Sequence, residues 1–409
     1  MKQKLTKLEK YWILYDVGNS AFIMLVSTII PIYFNFLATE AHISEVDYLA
    51  YWGYAASIST LIVAFIGPIL GTISDTKGYR KPVFMIALGV GVLGCASLSL
   101  TSSWKIFLCI FVIAKVGYAA SLIFYDSMLA DITTEERMDE VSSHGYAWGY
   151  IGSCIPFIIS LIFVLFNTSF GLSLGTAMMI AFMINALWWL ANSIPLLKNY
   201  KQTHYIEKQA HPIRASFQRL GSALKDLKAN RKVLFFLIAF FFYIDGVYTI
   251  IEMATAYGSA LGLDSQGLLL ALLVTQLVAF PFALLFGKLS KSQESTKLIK
   301  LCIMAYTGIA IFALQLDKQW EFWVLAVCVG MFQGAIQALS RSYFAKIIPK
   351  EKSGEFFGIY DICGKGASFL GTFMMGLFAQ ITGFVGGGII VLVIMFIIGY
   401  IFFHKASQL

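Results

Sequence analysis

The chain has 409 residues, of which 58% are hydrophobic and only 13% charged, with a formal charge of +7 at pH 7. A soluble domain carries about 45–50% apolar and about 25% charged residues, so these charges are too few to cover a soluble surface of this size. A single soluble domain, a disordered chain and a nucleic-acid binder are excluded. The basic residues lie between long apolar runs, which makes this an all-α polytopic membrane protein.

A helix needs about 20 mostly apolar residues to cross a ~30 Å hydrocarbon core, and that ruler finds twelve segments in chain order. The first, 11–37, follows Lys2, Lys4, Lys7 and Lys10 like a signal peptide. It is too long and lacks a small-residue cleavage pattern, so it reads as a retained span. Spans at 48–73, 82–101, 104–129, 143–166 and 173–197 follow. A basic stretch, 198–230, then separates them from spans at 231–258, 265–290, 295–315, 320–346, 353–382 and 384–403. The expected organisation is therefore a bundle over 1–197, a cytosolic linker over 198–230 and a second bundle over 231–409.

With both termini and alternate loops assigned to the cytosol, nearly every Lys and Arg falls on that side. Only Lys105 and Lys318 fall opposite, and Lys115 and Lys365 lie inside spans. This is the positive-inside pattern. The compact chain suits a bacterial plasma membrane, and a monomer is expected. In the linker, Ile213, Phe217, Leu220, Leu224 and Leu227 recur at helical spacing beside Arg214, Arg219, Lys225 and Lys228, the pattern of an amphipathic helix on the inner leaflet. The six cysteines have no metal-ligand spacing and read as packing residues. Trp188 and Trp189 read as interfacial anchors.

An internal repeat links the halves. A shift of 215 residues lays YDSMLADITTEERMDEVSSHGYAWGYIGS (125–153) on SRSYFAKIIPKEKSGEFFGIYDICGKGAS (340–368), with Ser127/Ser342, Glu140/Glu355 and Gly149/Gly364 among the identities. Asp16 in the first span has a weaker echo in Asp245 of the seventh. Duplicated halves of this kind place a substrate path between them.

Between the second and third spans stands GPILGTISDTKGYRK (67–81). It resembles the major facilitator superfamily signature through Gly71, Asp75, Gly78, Arg80 and Lys81. Gly71 lets another helix approach, Gly78 permits a tight turn, and Asp75 can face a helix N-terminus and the bases. The resemblance implies the major facilitator fold, two pseudo-symmetric six-helix bundles, and a conformational latch at this loop. Its second-half counterpart, FGKLSKSQESTK (286–297), keeps Gly287 but has no equivalent Asp, so an asymmetric latch is expected. YDVGNSAF (15–22), YDSMLADI (125–132), VSSHGYAWGYIGS (141–153) and SGEFFGIYD (353–361) look like the vacuolar-effluxer-like branch, whose fungal members are associated with amino-acid release from the vacuole. The first- and fourth-span patterns are also similar to glycoside–cation symporters, whose fourth-span Asp, matched here by Asp126, binds sugar and cation. The acidic pair of their second span is missing.

Ionisable groups at bilayer depth are costly unless paired or hydrated, so each is a functional candidate. Asp16 and Asn19 share a face of the first span, and Lys115, Tyr118 and Asp126 lie on the fourth. Asp245 and Glu252 are two turns apart on the seventh, and Gln333, Gln337 and Arg341 form a stripe on the tenth. Asp361 and Lys365 on the eleventh are spaced for an intrahelical ion pair. Asp126, Asp131 and Arg341 sit near the cytosolic exit, where gating networks are built.

No P-loop, nucleophile elbow or zinc-protease motif is present, and neither enzyme chemistry nor ATP-driven transport is expected. The pattern points to a secondary transporter for a small polar solute, amino-acid-like by the resemblance, worked by alternating access. Coupling to protons through the carboxylates of spans one, four and seven is expected, sodium less so, without a cofactor. A cation-coupled sugar symporter and a transport-inactive scaffold remain the alternatives.

Overall fold

The computed structural model describes residues 4–43, 45–208, 230–260, 263–382 and 387–409. The first span is two helices, α1 (Lys7–Ser27) and α2 (Ile29–Glu40), broken at Thr28, whose hydroxyl donates to the Met24 carbonyl. α3 (Glu45–Ser74), α4 (Arg80–Ser97) and α5 (Trp104–Ser127) follow. A single turn, α6 (Leu129–Ile132), leads to α7 (Met138–Leu165) and α8 (Leu174–Asn199). The later spans are α9 (Arg231–Ala260), α10 (Ser265–Leu289), α11 (Ser295–Ala313), α12 (Gln319–Ile347), α13 (Ser353–Thr382) and α14 (Gly387–Gln408). Eleven of these spans, with α1 and α2 counted as one, are long and apolar enough to cross a membrane among the described residues. α13 is the twelfth segment, and the chain is an integral membrane protein with the expected all-α architecture. The amphipathic pattern of the linker, at 209–229, lies outside the described residues, as does the Lys365 side chain.

Small residues decide how closely the helices pack. α1 lies along a glycine face of α7: a Cβ at Gly145, Gly149 or Gly152 would meet Asp16, Ser20 or Val17. The halves meet along α3–α13, α7–α10, α7–α12 and α5–α13. At the α3–α13 crossing, Gly67 and Gly71 face Gly354 and Gly358. A Cβ at Gly71 would run into the Gly354 carbonyl, and one at Gly358 would stand 2.7 Å from the Pro68 Cα.

Each half repeats one internal bond. The Tyr15 hydroxyl meets the Ser121 hydroxyl at 2.6 Å, and Tyr243 meets Ser340 at 2.7 Å. All six cysteines are unpaired. Trp189 is no interfacial anchor: it is fully buried against Phe22 and Tyr118, because α8 turns that ring inward onto α1 and α5. Trp188 is half-buried, and its indole N–H donates to the Val17 carbonyl.

Candidate functional site

Arg341, on the second-half helix α12, is held by a pocket built from the first half. Its Nε donates to the Ser142 hydroxyl at 2.9 Å, and a terminal nitrogen donates to the Ser142 carbonyl at 3.0 Å. The other terminal nitrogen reaches the Asp126 carboxylate at 3.0 Å, and both lie 3.4 Å from Asp16. The guanidinium stands over the rings of Trp12, Tyr125 and Tyr146 at 4.7, 5.5 and 4.4 Å. Asp16 also accepts from the Tyr125 hydroxyl at 2.8 Å and from the Asn19 amide at 3.4 Å. Arginine suits such a place because its planar fork serves several acceptors while its faces stack on rings. Two carboxylates buried around one cation are tolerable only because the cation is there.

Asp126 and Arg341 are 215 residues apart, the shift of the internal repeat, so equivalent positions of the two halves bind each other. The fourth-span carboxylate is therefore paired with the tenth-span arginine. Lys115, on the same face of α5, acts electrostatically on Glu252 of α9.

Toward the end of the molecule marked by the basic loops, two latches join the halves. In the first, Asp75 accepts the Gly354 and Glu355 backbone N–H groups at 2.8 and 2.9 Å, which places a carboxylate on the N-terminus of α13. Arg80, fully buried, bridges Asp75 at 2.6 Å and Asp131 at 2.8 Å. Gly78 has φ +78°, the turn that lets the loop return. Lys81 is half-buried and takes no part in these bonds. The start of the linker staples the latch. Tyr200 donates to Asp131 at 2.5 Å, and the Thr203 and His204 N–H groups donate at 3.2 and 2.9 Å. Ile206 pairs with the backbone of Asp75 and Lys77. Burial pushes the Asp131 carboxyl up, but Arg80, Tyr200, Thr203 and His204 outweigh it and hold it below the usual carboxylate range.

The second latch uses other chemistry. Asp139, in the first turn of α7, accepts from Lys346 at 2.6 Å and from the hydroxyls of Ser342 and Ser295, while Glu140 pairs with Lys291 at 2.9 Å. The hydrogen bonds and ion pairs described between the halves all lie toward this basic end.

Above the Arg341 cluster, half-buried side chains of both halves converge. Lys115, Tyr118, Tyr146 and Tyr150 come from the first half, and Tyr248 and Asp361 from the second. Glu252 is exposed, and Lys115 acts on it across the two halves. Asp126, Asp361, Glu252 and Arg341 all act on the Tyr248 hydroxyl. Gln333 is buried, and its side chain faces the Tyr150 hydroxyl across the two halves. Gln337, also buried, continues the same stripe toward Arg341. Asp245 stands apart from this gathering, fully buried between α9 and α13. Ser142 and Asp139 lie inside the repeated stretch 125–153, Ser142 also inside VSSHGYAWGYIGS, without being singled out there, and the linker residues Tyr200, Thr203 and His204 belong to no motif.

Two latches at one end, a charge cluster on the pseudo-two-fold and polar walls between two six-helix halves define a major facilitator transporter. Solved transporters of that class share the fold. A fucose transporter, FucP, in its outward conformation matches with a TM-score of 0.73 at 13% identity, covering 98% of both chains. A bacterial homologue of the iron transporter ferroportin, in an outward-facing state, matches with 0.69 at 15% identity, covering 98% of this chain and 99% of that one. The family model for vacuole effluxer Atg22-like proteins matches residues 6–408, and the chain belongs to that family. It is 41% identical to the MFS-type transporter YxiO of Bacillus subtilis (strain 168), over 98% of this chain and 95% of that protein. It is 22% identical to autophagy-related protein 22 of Eremothecium gossypii, over 80% of this chain and 70% of that protein.

Proposed function

We propose that this transporter moves an amino-acid-like zwitterion by alternating access, coupled to protons rather than sodium. In this reading it works as a monomer in a bacterial plasma membrane with both termini cytosolic, and it needs no cofactor. One observation carries the substrate class: Lys115 of the first half acts electrostatically on Glu252 of the second, so the two halves contribute opposite charges near one another. A zwitterion bridging them places its carboxylate on Lys115 and its ammonium on Glu252. The halves are then drawn together by the ligand itself, which is how binding energy selects the closed state. Tyr118, Tyr248 and the Gln333 amide supply walls with hydroxyl and amide partners for a small polar solute.

The Arg341 cluster forms the floor of that space in this reading. Every partner of Arg341 described above belongs to the first half, so opening the basic end requires withdrawing the guanidinium from Asp16, Asp126 and Ser142. That withdrawal is the step a bound solute must compensate.

The test is thermal stability of the purified protein against amino acids, sugars and nucleosides, followed by flux in proteoliposomes. A ligand at 100 times its dissociation constant adds about 2.7 kcal/mol if only the folded state binds it. The expected result is a shift with amino acids that disappears in Lys115→Ala and in Glu252→Gln. A shift confined to sugars in the presence of sodium sinks the reading.

A further inference from the structure

Among the described residues, no cation stands beside Asp245, a carboxylate at membrane depth. Its relative exposure is 0%. One oxygen accepts from the Gly371 N–H at 3.1 Å and from the Thr249 hydroxyl at 3.3 Å. The other, Oδ2, is buried with no hydrogen-bond partner. The fit is close, since a Cβ at Gly371 would collide with Thr249 and stand 2.5 Å from the Asp245 carboxylate.

The surroundings offer no counter-charge among the described residues. On α9 itself the neighbours are Thr249 and, two turns away, Glu252, a like charge that acts on Asp245. α13 contributes the Gly371 backbone, with Asp361 ten residues nearer the first latch, and the Lys365 side chain on the same helix lies outside the described residues. α14 packs the Phe396 ring onto Gly246, and its ionisable groups, His404 and Lys405, lie at the far basic end. α12 carries Gln333, Gln337 and Arg341, and Arg341 is committed to Asp16 and Asp126. α10 presents Lys288 only in its last turn. An ionised carboxylate in such a place gives up hydration on an oxygen that no described group replaces, a cost that one proton removes. Asp16 and Asp126 differ because Arg341 compensates both.

We propose that Asp245 is the proton-carrying group of this transporter, neutral while the basic end is latched and ionised when water reaches the α9–α13 contact. The proposal rests on the proton-coupled reading above and names its site. The geometry also supplies the link to the transport cycle. α13 is gripped at its first turn by Asp75, through Gly354 and Glu355, and seventeen residues further along it covers Asp245 at Gly371. At 1.5 Å per residue that is about 25 Å of one helix, so release of the latch and exposure of Asp245 act on the same rod. The proton taken up or given off is exchanged with water, and the carboxylate is left ionised or neutral; no other reactant is involved.

Infrared spectroscopy of the full chain in lipid reads the proton directly, with no substrate needed. The expected result is a protonated-carboxyl C=O band at neutral pH that is present in the wild type and in Asp16→Asn and missing in Asp245→Asn. Thr249→Val, which removes only one donor, keeps the band and moves its pH midpoint, and it serves if Asp245→Asn fails to fold. A band unchanged in Asp245→Asn, or a Thr249→Val midpoint identical to the wild type, overturns the proposal. The second arm is uptake of a radiolabelled amino-acid mixture into proteoliposomes. Asp245→Asn should retain exchange against internal amino acids and lose accumulation driven by a pH gradient. Retained accumulation overturns the coupling role. If the wild type exchanges no amino acid, the substrate reading fails while the infrared result still decides the proton site.

Discussion

The two latches occupy equivalent ends of the two halves and solve the same problem with different chemistry. The first puts a loop carboxylate, Asp75, onto the backbone N–H groups of an opposing helix and buries the shared cation Arg80 beneath it. The second keeps its carboxylate, Asp139, inside a helix and reaches out to a lysine and two hydroxyls. Backbone donors have a fixed direction and cannot be exchanged by mutation, whereas Lys346 and Ser342 are flexible and replaceable. Duplication has preserved the place of the contact and not its partners, so the first latch is the stiffer of the two.

The largest expected effect comes from Arg80→Ala. It leaves Asp75 and Asp131 buried without their common partner and costs about 3–5 kcal/mol, whereas Lys346→Ala leaves Asp139 two hydroxyl donors and costs about 1–3 kcal/mol. Thermal unfolding of the purified variants measures both, and equal losses would end the distinction between the latches. Gly354→Ala comes next, because its Cβ would meet Ser74, Asp75 and the Gly71 carbonyl. Overpacking of this kind costs about 1–3 kcal/mol and here falls on the contact between the halves. It should increase maleimide labelling of Ser353→Cys in a background without the native cysteines, and unchanged labelling counts against a tight first latch.

Acid separates the latches as well. Asp131 is held below the usual carboxylate range, so its stabilisation is complete above its unfolded value of about 3.9 and is lost as pH falls through the lower folded value. The wild type should therefore lose stability in strong acid more steeply than Asp131→Asn. Parallel acid profiles would remove Asp131 from the latch. The smallest effect belongs to Tyr200→Phe, about 1 kcal/mol, since Arg80, Thr203 and His204 still serve Asp131. A loss as large as that of Arg80→Ala would mean that the linker, not the loop, holds the latch.

The sequence carries the membrane spans, their number and the loop signature, because apolar length and glycine–charge spacing are local properties. It carries Asp75 facing a helix N-terminus for the same reason, and the lack of a matching Asp in 286–297 foretells unequal latches. Asp16 with Arg341, 325 residues apart, leaves no local trace. Neither does the linker staple at Tyr200, Thr203 and His204, which binds Asp131 about seventy residues back along the chain. Trp189 misleads because a tryptophan near a span end has the same local pattern whether its ring faces lipid or protein. Asp16 and Asp245 look alike in sequence as lone aspartates in apolar runs. Only the fold gives one a cation and, among the described residues, brings none to the other.

The Asp126–Arg341 bridge has a consequence for how such a chain can arise. Two identical six-helix units pairing about a two-fold axis bring each residue near that axis against its own copy. An aspartate there would face an aspartate and an arginine would face an arginine, and like charges at this distance repel. The bridge is therefore open only to two copies that differ in sequence, as the two halves of one fused chain do. The salt bridge between the halves marks their departure from exact symmetry, and no homodimer of either half can rebuild it.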